Sequence, residues 1–335
     1  MAGITFAEAS GVNDSIYGKS QAPIRLVLEK KAEAFEQAAI APKIFKQEKS
    51  KRFAEKMTAL TAMSGFQPVG EMGSHPHDNM RESYSKVLEH EVWKDRFTIS
   101  REMIDDANVV NMRNKPVQFV TGYYRTRERF GAALLGAAIR EQTSATFGGK
   151  SFGTTTADGV CLFSTSHPSI LGGAAQSNKY ADAFNADVLG AAEAAMQSYK
   201  GDNGEILAVS PDTIIIPNDY ALKNAVFAAV GSDKSPDTAN NAFNYQYGRW
   251  NIIVWPYLNE FITSGTSPWI LMDSKYNEEA LGAAWFDRVA LEVTSHLDYD
   301  TNANVWDGYA RFAAGFNDWR AFCVGGVAGA TQLIS

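Results

Sequence analysis

A long helical pattern constrains this chain more than any other feature of its sequence. The pattern begins after Pro116, a residue suited to the first turn of a helix, and continues to about Phe147, before Gly148 and Gly149. One face carries Phe119, Tyr123, Phe130, Leu134 and Ala137. At about 1.5 Å per residue the predicted helix is roughly 45 Å long, which predicts a spine on which other elements are placed. Its segment 131–139 is rich in small residues and predicts the close approach of another element.

Residues 1–50 contain too few apolar residues to close a core of their own. Ile24, Leu26, Leu28 and Phe35 are widely spaced, and helical spacing appears only over 28–45. We therefore predict an arm that lies on another chain.

Two strand-like stretches follow the arm, over 53–63 and 83–100. The segment between them is rich in glycine and proline and poor in hydrophobic residues, which predicts a β-hairpin with a long exposed tip. Neither face of the returning strand is uniformly apolar, so we expect this hairpin to pack against a neighbouring subunit.

The remainder of the chain predicts an α+β fold with short connections. Asn185 or Asp187 can cap a helix that runs to Tyr199, and Asn218 can cap a helix with Leu222, Ala225, Val226 and Ala229 on its inner side. Strands are predicted over 213–216, 251–255, 269–272, 288–295, 308–316 and 319–324.

Composition and charge exclude several classes of protein. Of the 335 residues 45% are hydrophobic and 21% are charged, as in soluble globular proteins, and no apolar run approaches the length of a membrane span. The N-terminus lacks the pattern of a secretory signal, so we expect folding in a cytoplasm. Cys161 and Cys323 lie in apolar surroundings, which favours reduced, buried thiols.

Charge is unevenly distributed along the chain. Residues 250–335 hold four basic and ten acidic residues, a net charge of −6. The segment 43–56 is basic, with six cationic residues: Lys43, Lys46, Lys49, Lys51, Arg52 and Lys56. Two interpretations remain open, a contact with an acidic surface on another copy or a solvated helix face.

Residues with possible chemical roles have simpler structural interpretations. His75 and His77, with Asp78, are favoured as a solvated loop tip over a metal site. Ser164 and His167 lack the glycine-flanked elbow of a nucleophile and predict a polar turn. The glycines at 148, 149 and 153 do not form a phosphate loop, and we predict no catalytic, cofactor or metal site.

Five ordered motifs carry a resemblance to a known family. They are DGVCLFSTSHP at 158–168, ILAVSPDTIIIPNDYALKNA at 206–225, NNAFNYQYGRWNIIVWPYL at 240–258, PWILMDSKYN at 268–277 and DYDTNANVWDGYARFAAGFNDWRAF at 298–322. In this order the motifs resemble the major head subunits of tailed bacteriophages with the Hong Kong 97-type capsid fold, in particular their Mu-like branch. The resemblance covers roughly the last 180 residues, and the segments before it agree in layout alone.

The resemblance implies an α+β, Hong Kong 97-type fold with five segments. These are an N-terminal arm (1–50), an extended β-hairpin loop (51–100), a peripheral domain (101–180) with its spine helix over 116–147, an axial domain (181–296) and the return strands of the peripheral domain (297–335). It implies a structural protein, not an enzyme, that assembles into the icosahedral head around double-stranded DNA. The alternatives are the shell protein of a cellular nanocompartment of the same fold and, less favoured, a soluble hydrolase.

The resemblance also implies partners and contact residues. We expect hexamers and pentamers of the chain itself within a virion, together with scaffold, portal and decoration proteins, non-specific contact with DNA, no membrane and no cofactor. Because the chain starts at the arm, a separate scaffold or an already mature form is expected. Lys86 and Lys94 occupy the loop in which some relatives crosslink, but no partner asparagine matches, so no crosslink is predicted. The predicted interface residues are Ile24, Leu28, Phe66, Gln67, Met72, Trp93, Phe243 and Tyr245.

Overall fold

The computed structural model describes residues 5–8, 30–60, 66, 68–75, 77, 82–105, 109–232 and 244–334. The chain forms two compact units. Unit 1 is made of described residues within 1–55, 88–131 and 285–314, and unit 2 of those within 56–87, 132–284 and 315–335. Each unit has its own β-sheet and core, so each is described by itself.

A five-stranded sheet organises unit 1. Its strands are β1 (Thr5–Glu8), β2 (Lys46–Lys49), β5 (Glu91–Ile99), β11 (Ala283–Asp298) and β12 (Ala303–Phe316). They lie in the order β1-β11-β12-β5, and β2 also pairs with β11. β5 is antiparallel to β12, with Trp93 opposite Ala310 and Phe97 opposite Trp306. Unit 1 also contains three short helices: α1 (residues 30–38), α2 (Ala41–Ile44) and α3 (Arg101–Asp105).

The long helix α4 (Val109–Ile139) packs its first part on this sheet. Ala32, Phe119, Val120, Tyr124, Leu291, Val293 and Trp306 form one buried cluster. A second cluster is aromatic: the Trp93 ring stacks on Phe312 at 4.8 Å and lies 5.3 Å from Phe130. Beside it the Arg127 guanidinium binds the Asp287 carboxylate through two hydrogen bonds of 2.8 and 3.0 Å. This pairing compensates two buried charges.

A four-stranded sheet forms the centre of unit 2. Its strands are β8 (Thr213–Pro217), β9 (Asn251–Trp255), β10 (Trp269–Met272) and β13 (Phe322–Gly325), in the order β13-β10-β8-β9. β8 is buried at every position, as the predicted strand 213–216 requires. The helices of this unit are α5 (Ala186–Gln197), α6 (Tyr220–Val230) and α7 (Ser274–Ala280). Two-stranded hairpins complete the unit, β3 (Ala54–Leu60) with β4 (Glu82–Glu89) and β6 (Ser144–Phe147) with β7 (Lys150–Gly153).

The spine helix exists, but its predicted bounds 116–147 are wrong at both ends. α4 begins at Val109, and Pro116 lies inside it. A proline inside a helix removes one backbone donor and crowds the preceding turn, but this helix continues through Pro116 to Ile139. The helix ends at Ile139 because Glu141 adopts a left-handed conformation (φ 53°), with Gln142 N bonded to Ala137 O and Glu141 N to Ala138 O. This is a Schellman cap formed without the usual glycine, so the sequence carries no signal for it.

Several shorter predictions also differ from the structure. The predicted strand 83–100 is two strands, β4 and β5, which separate at His90 and join different sheets. The cap of α6 is Asp219, whose carboxylate accepts from Ala221 N, while the Asn218 side chain instead accepts from Lys223. The cap of α5 is Asn185, one of the two predicted candidates, and not Asp187.

The arm prediction is wrong for residues 30–50. Ala32, Ile44 and Phe45 are buried against their own chain, and the Phe35 ring stacks on Tyr124 at 5.6 Å. Glu128 of α4 also accepts hydrogen bonds from Ile40 N and Ala41 N at 2.9 and 3.0 Å. The apolar residues of α1 and α2 are sparse because they complete the core of unit 1 and do not have to close one of their own.

Candidate assembly surfaces

The hairpin formed by β3 and β4 carries the most exposed apolar side chains among the described residues. Phe66 and Met72 are 108% and 102% exposed, and Val69 is half exposed. The chain turns between Gly70 and Gly73, whose N–H donates to Gly70 O at 2.8 Å, and Met72 has a positive φ of 61°. Large apolar side chains this exposed lack partners within their own subunit, which is typical of contact surfaces.

The start of β4, next to the tip, is anchored to the body of unit 2. Ser83 Oγ donates to Asp202 Oδ2 at 2.8 Å, and Arg320 holds the same carboxylate at 3.1 Å. Lys86 Nζ donates to Thr155 O. The exposed tip is therefore carried on a strand whose first residues are fixed.

A second exposed surface lies on α6 and the segment after residue 243. Tyr220 and Phe227 lie on the outer side of α6, at 81% and 51% exposure. Tyr245 and Tyr247 are exposed to a similar degree. Sequence reasoning assigned the inner face of α6 correctly at Leu222, Val226 and Ala229 but overlooked the outer face. The signal was available, because two large aromatic residues remained on the side predicted to face solvent.

The segment around Tyr245 is held by buried and half-buried polar contacts. Arg249 binds Glu193 of α5 at 2.5 Å, and Gln246 donates to the same carboxylate at 3.2 Å. Trp250 Nε1 then donates to Gln246 Oε1 at 2.6 Å. The Arg249 guanidinium also lies 5.9 Å from the centre of the Tyr245 ring. These contacts fix the backbone that presents Tyr245 to solvent.

The predicted interface residues thus have different environments. Phe66, Met72 and Tyr245 are exposed, whereas Trp93 packs between aromatic rings of its own unit. Ile24, Leu28, Gln67 and Phe243 lie outside the described residues. Their roles as contacts between subunits stay predictions.

His167 is held in a purely structural arrangement. Its side chain is fully buried, Nδ1 lies 2.8 Å from Asp158 Oδ2, and Nε2 lies 3.2 Å from Asn178 Oδ1. Burial raises the pKa of Asp158, but hydrogen bonds from His167 and Thr156 outweigh it, and the net pKa is lowered. The His167 ring stacks on Trp319 at 4.3 Å. Both ring nitrogens are occupied, so this histidine cannot serve as the base for Ser164.

The remaining candidates are a metal site, the histidines of the hairpin tip and the two cysteines. Within the described ranges, no cluster of three or more His, Cys, Asp or Glu side chains could hold a metal ion. His75 and His77 are exposed. Cys161 and Cys323 are free and buried, and burial raises the pKa of Cys323 to about 12. None of the described helices combines the length and apolar character needed to cross a membrane.

One solved structure, with a TM-score above 0.5, shows the class of fold. A structure from Mycobacterium phage Patience matches 100% of this chain and 96% of its own, at 11% identity and a TM-score of 0.51. The capsid of Ralstonia phage GP4 matches over 82% and 83% at 10% identity, with a TM-score of 0.49. A virus-like particle from Pyrococcus furiosus matches over 90% and 97% at 11% identity, with a TM-score of 0.47. The chain has the mixed α+β fold of Hong Kong 97-type capsid proteins.

A family model described as phage capsid protein matches residues 84–325, well over half of the chain. The chain belongs to this family. It is a phage major capsid protein that forms the head shell of the virion, with a structural and not an enzymatic role. No curated protein matches the sequence.

Proposed function

We propose that copies of this chain form the hexamers and pentamers of a closed icosahedral shell around double-stranded DNA, and that the chain belongs to the Mu-like branch of its family. The five ordered motifs between residues 158 and 322 support the branch. Scaffold, portal and decoration proteins are the further partners of this proposal, with DNA contacted non-specifically. Many modest contacts per copy, summed over a closed shell, stabilise the container.

In this proposal the arm is the part of its predicted range that lies before α1, residues 1–29. Residues 51–100 are the extended loop, 101–180 and 297–335 the peripheral domain, and 181–296 the axial domain. Phe66 and Met72 supply the observation on which the proposal depends, because both are fully exposed on a hairpin whose second strand is anchored at its start. We propose that the hairpin tip lies across an adjacent subunit. The surface formed by Tyr220, Phe227 and Tyr245 contacts the same surface on neighbouring copies around the capsomer axis.

Substitution at the hairpin tip tests this proposal. The double variant Phe66→Ser, Met72→Ser should fold normally, because neither side chain packs in its own subunit. It should fail to form shells, because two apolar anchors of the contact are lost. Negative-stain electron microscopy measures the shells, and circular dichroism measures the fold.

A matched control uses polar residues of the same tip. Glu71 and His75 are also exposed, and the variant Glu71→Ser, His75→Ser should assemble as the unmodified chain does. Normal shells from the Phe66, Met72 variant would show that the hairpin tip is not an assembly contact.

A further inference from the structure

The base of the hairpin contains a compact hydrogen-bonded group at the point where β4 ends and β5 begins. We call Ser50, Phe53, Glu55 and His90 the hairpin root. His90 N–H donates to Phe53 O at 3.3 Å, which joins the two chain segments that lead into the hairpin. All four residues belong to unit 1, and the chain passes from unit 1 to unit 2 just beyond them, after residue 55 and before residue 88.

The hydrogen bonds of the root determine which nitrogen of His90 carries a proton. Ser50 Oγ donates its single hydrogen to Glu55 Oε1 at 2.6 Å. It must therefore accept from His90 Nε2, which lies 2.9 Å away. His90 is consequently the tautomer with hydrogen on Nε2, and its Nδ1 carries a lone pair.

That Nδ1 atom is buried and has no hydrogen-bond partner among the residues that the structure describes. His90 as a whole is only 5% exposed. A proton added to Nδ1 would create a cation with an unpaired donor in a buried place.

The charged groups around His90 come from three strands and act on its pKa in both directions, with burial as the largest cause of the net shift. Burial lowers the pKa of His90, and Arg288 of β11 lowers it further. Glu55 of β3 raises it, Arg311 of β12 lowers it, and Asp287 of β11 raises it. The net direction is a pKa below the ordinary value of 6.5.

We infer that the hairpin root is a proton-operated hinge, closed while His90 is neutral and loosened when His90 Nδ1 takes up a proton. The geometry supports this directly, because the orphaned nitrogen lies where both segments of the hairpin join the sheet. The consequence for assembly rests on the proposed role of the hairpin tip, but the hinge itself does not.

The sign of the pH effect follows from linkage. The folded root binds a proton less readily than the unfolded chain, so its stability is complete above the ordinary pKa of histidine. Stability is lost as the pH falls below 6.5 towards the folded value. Acidification should therefore loosen the hairpin root, while the contacts of Ser83 and Lys86 and the core of each unit remain.

Hydrogen exchange on the full-length protein tests the hinge. We compare peptides covering residues 50–60 and 82–92 at about pH 7.5 and about pH 5, corrected for intrinsic exchange rates. Protection should fall by about tenfold at the acidic pH, the scale set by one unpaired buried donor. Peptides from β8 and β10 should keep their protection.

The variant His90→Gln retains a donor at the position of Nε2 but cannot titrate, so it should show no acid-induced loss. His75→Gln makes the same replacement at an exposed site and should behave as the unmodified protein does. The hinge is wrong if the two peptides of the unmodified protein keep their protection at acidic pH. It is also wrong if His90→Gln loses as much protection as the unmodified protein does.

Nuclear magnetic resonance provides a readout that does not depend on the variant folding. The chain has five histidines, and the His90 Cε1 resonance can be assigned in the unmodified protein by through-bond correlation with the His90 backbone. A midpoint below 6.5 supports the hinge, and a midpoint at or above it overturns it. Shell formation is scored separately by microscopy, so failure of the hinge remains distinguishable from failure of the assembly proposal.

Discussion

Lys86 shows how one residue can make the stability of this subunit depend on pH. Burial lowers the pKa of Lys86 to about 8, although Cys161 and Asp158 both act to raise it. The ordinary value is 10.5, so between these two values the unfolded chain binds more protons than the folded chain. The folded state should therefore gain stability from Lys86 as the pH rises through this window.

The variant Lys86→Met should remove that gain. Below pH 8 the variant lacks a half-buried charge and also the hydrogen bond to Thr155 O, so we expect the rise in melting temperature between these pH values to be smaller than in the unmodified protein. Melting temperatures at about pH 7 and about pH 10 measure the effect as a difference between the two proteins.

Lys56→Met is the matched control, because Lys56 lies on the paired strand β3 and is exposed. Its melting temperature should follow that of the unmodified protein at both pH values. An equal pH dependence in Lys86→Met and the unmodified chain would contradict the assigned environment of Lys86.

At the scale of elements, two of the three glycines of α4 have opposite surroundings. A Cβ at Gly136 would lie 2.5 Å from Phe261 Cβ and 2.8 Å from Phe261 O, whereas a Cβ at Gly122 would meet nothing within 4 Å. The small-residue segment 131–139 thus provides a close approach, as its composition predicts.

Alanine at these two positions should change stability in opposite directions. Glycine in a helix costs about 0.5–1 kcal/mol relative to alanine, so Gly122→Ala should raise the free energy of unfolding by about this amount. Gly136→Ala should lower it, because the backbone at Phe261 has to move. Urea denaturation measures both, and stabilisation by Gly136→Ala would show that the contact with Phe261 is loose.

The whole chain has a net charge of −7, and its segment 43–56 is basic. Lys49, Lys51 and Arg52 of this segment are exposed. If they meet an acidic surface on another copy, replacing all three by glutamine should slow shell formation at low ionic strength. The difference should disappear in about 1 M salt, where charges are screened within about 3 Å.

Light scattering during assembly follows this effect, with electron microscopy of the products. Lys43→Gln, an exposed lysine of α2, is the single-charge comparison and should have a smaller effect. Assembly of the triple variant at the normal rate in every salt concentration would favour the alternative interpretation, a solvated surface.

Patterns within short stretches of sequence predicted the features that depend on neighbouring residues alone. The buried strand at 213–216, the cap at Asn185, the inner face of α6 and the existence of a long helix were all predicted and confirmed. The ordered motifs also indicated the family, which the match over 84–325 confirms. Hydrophobic periodicity and capping chemistry operate over a few residues, so a single sequence records them.

The tertiary structure decided the features that depend on distant partners. Residues 30–50 appeared unable to form a core, but Phe35 and Phe45 complete one with side chains from α4 and β11. The strand pattern over 83–100 does not indicate the break at His90. The contacts of His90 depend on Ser50, Glu55 and Arg288, which are distant in the sequence and are brought to it only by the fold. The helix likewise ends at Glu141 through a left-handed conformation that this residue type rarely adopts. The sequence alone therefore determined the fold class and the assembly role, and the packing of distant segments determined which surfaces remain exposed to assemble.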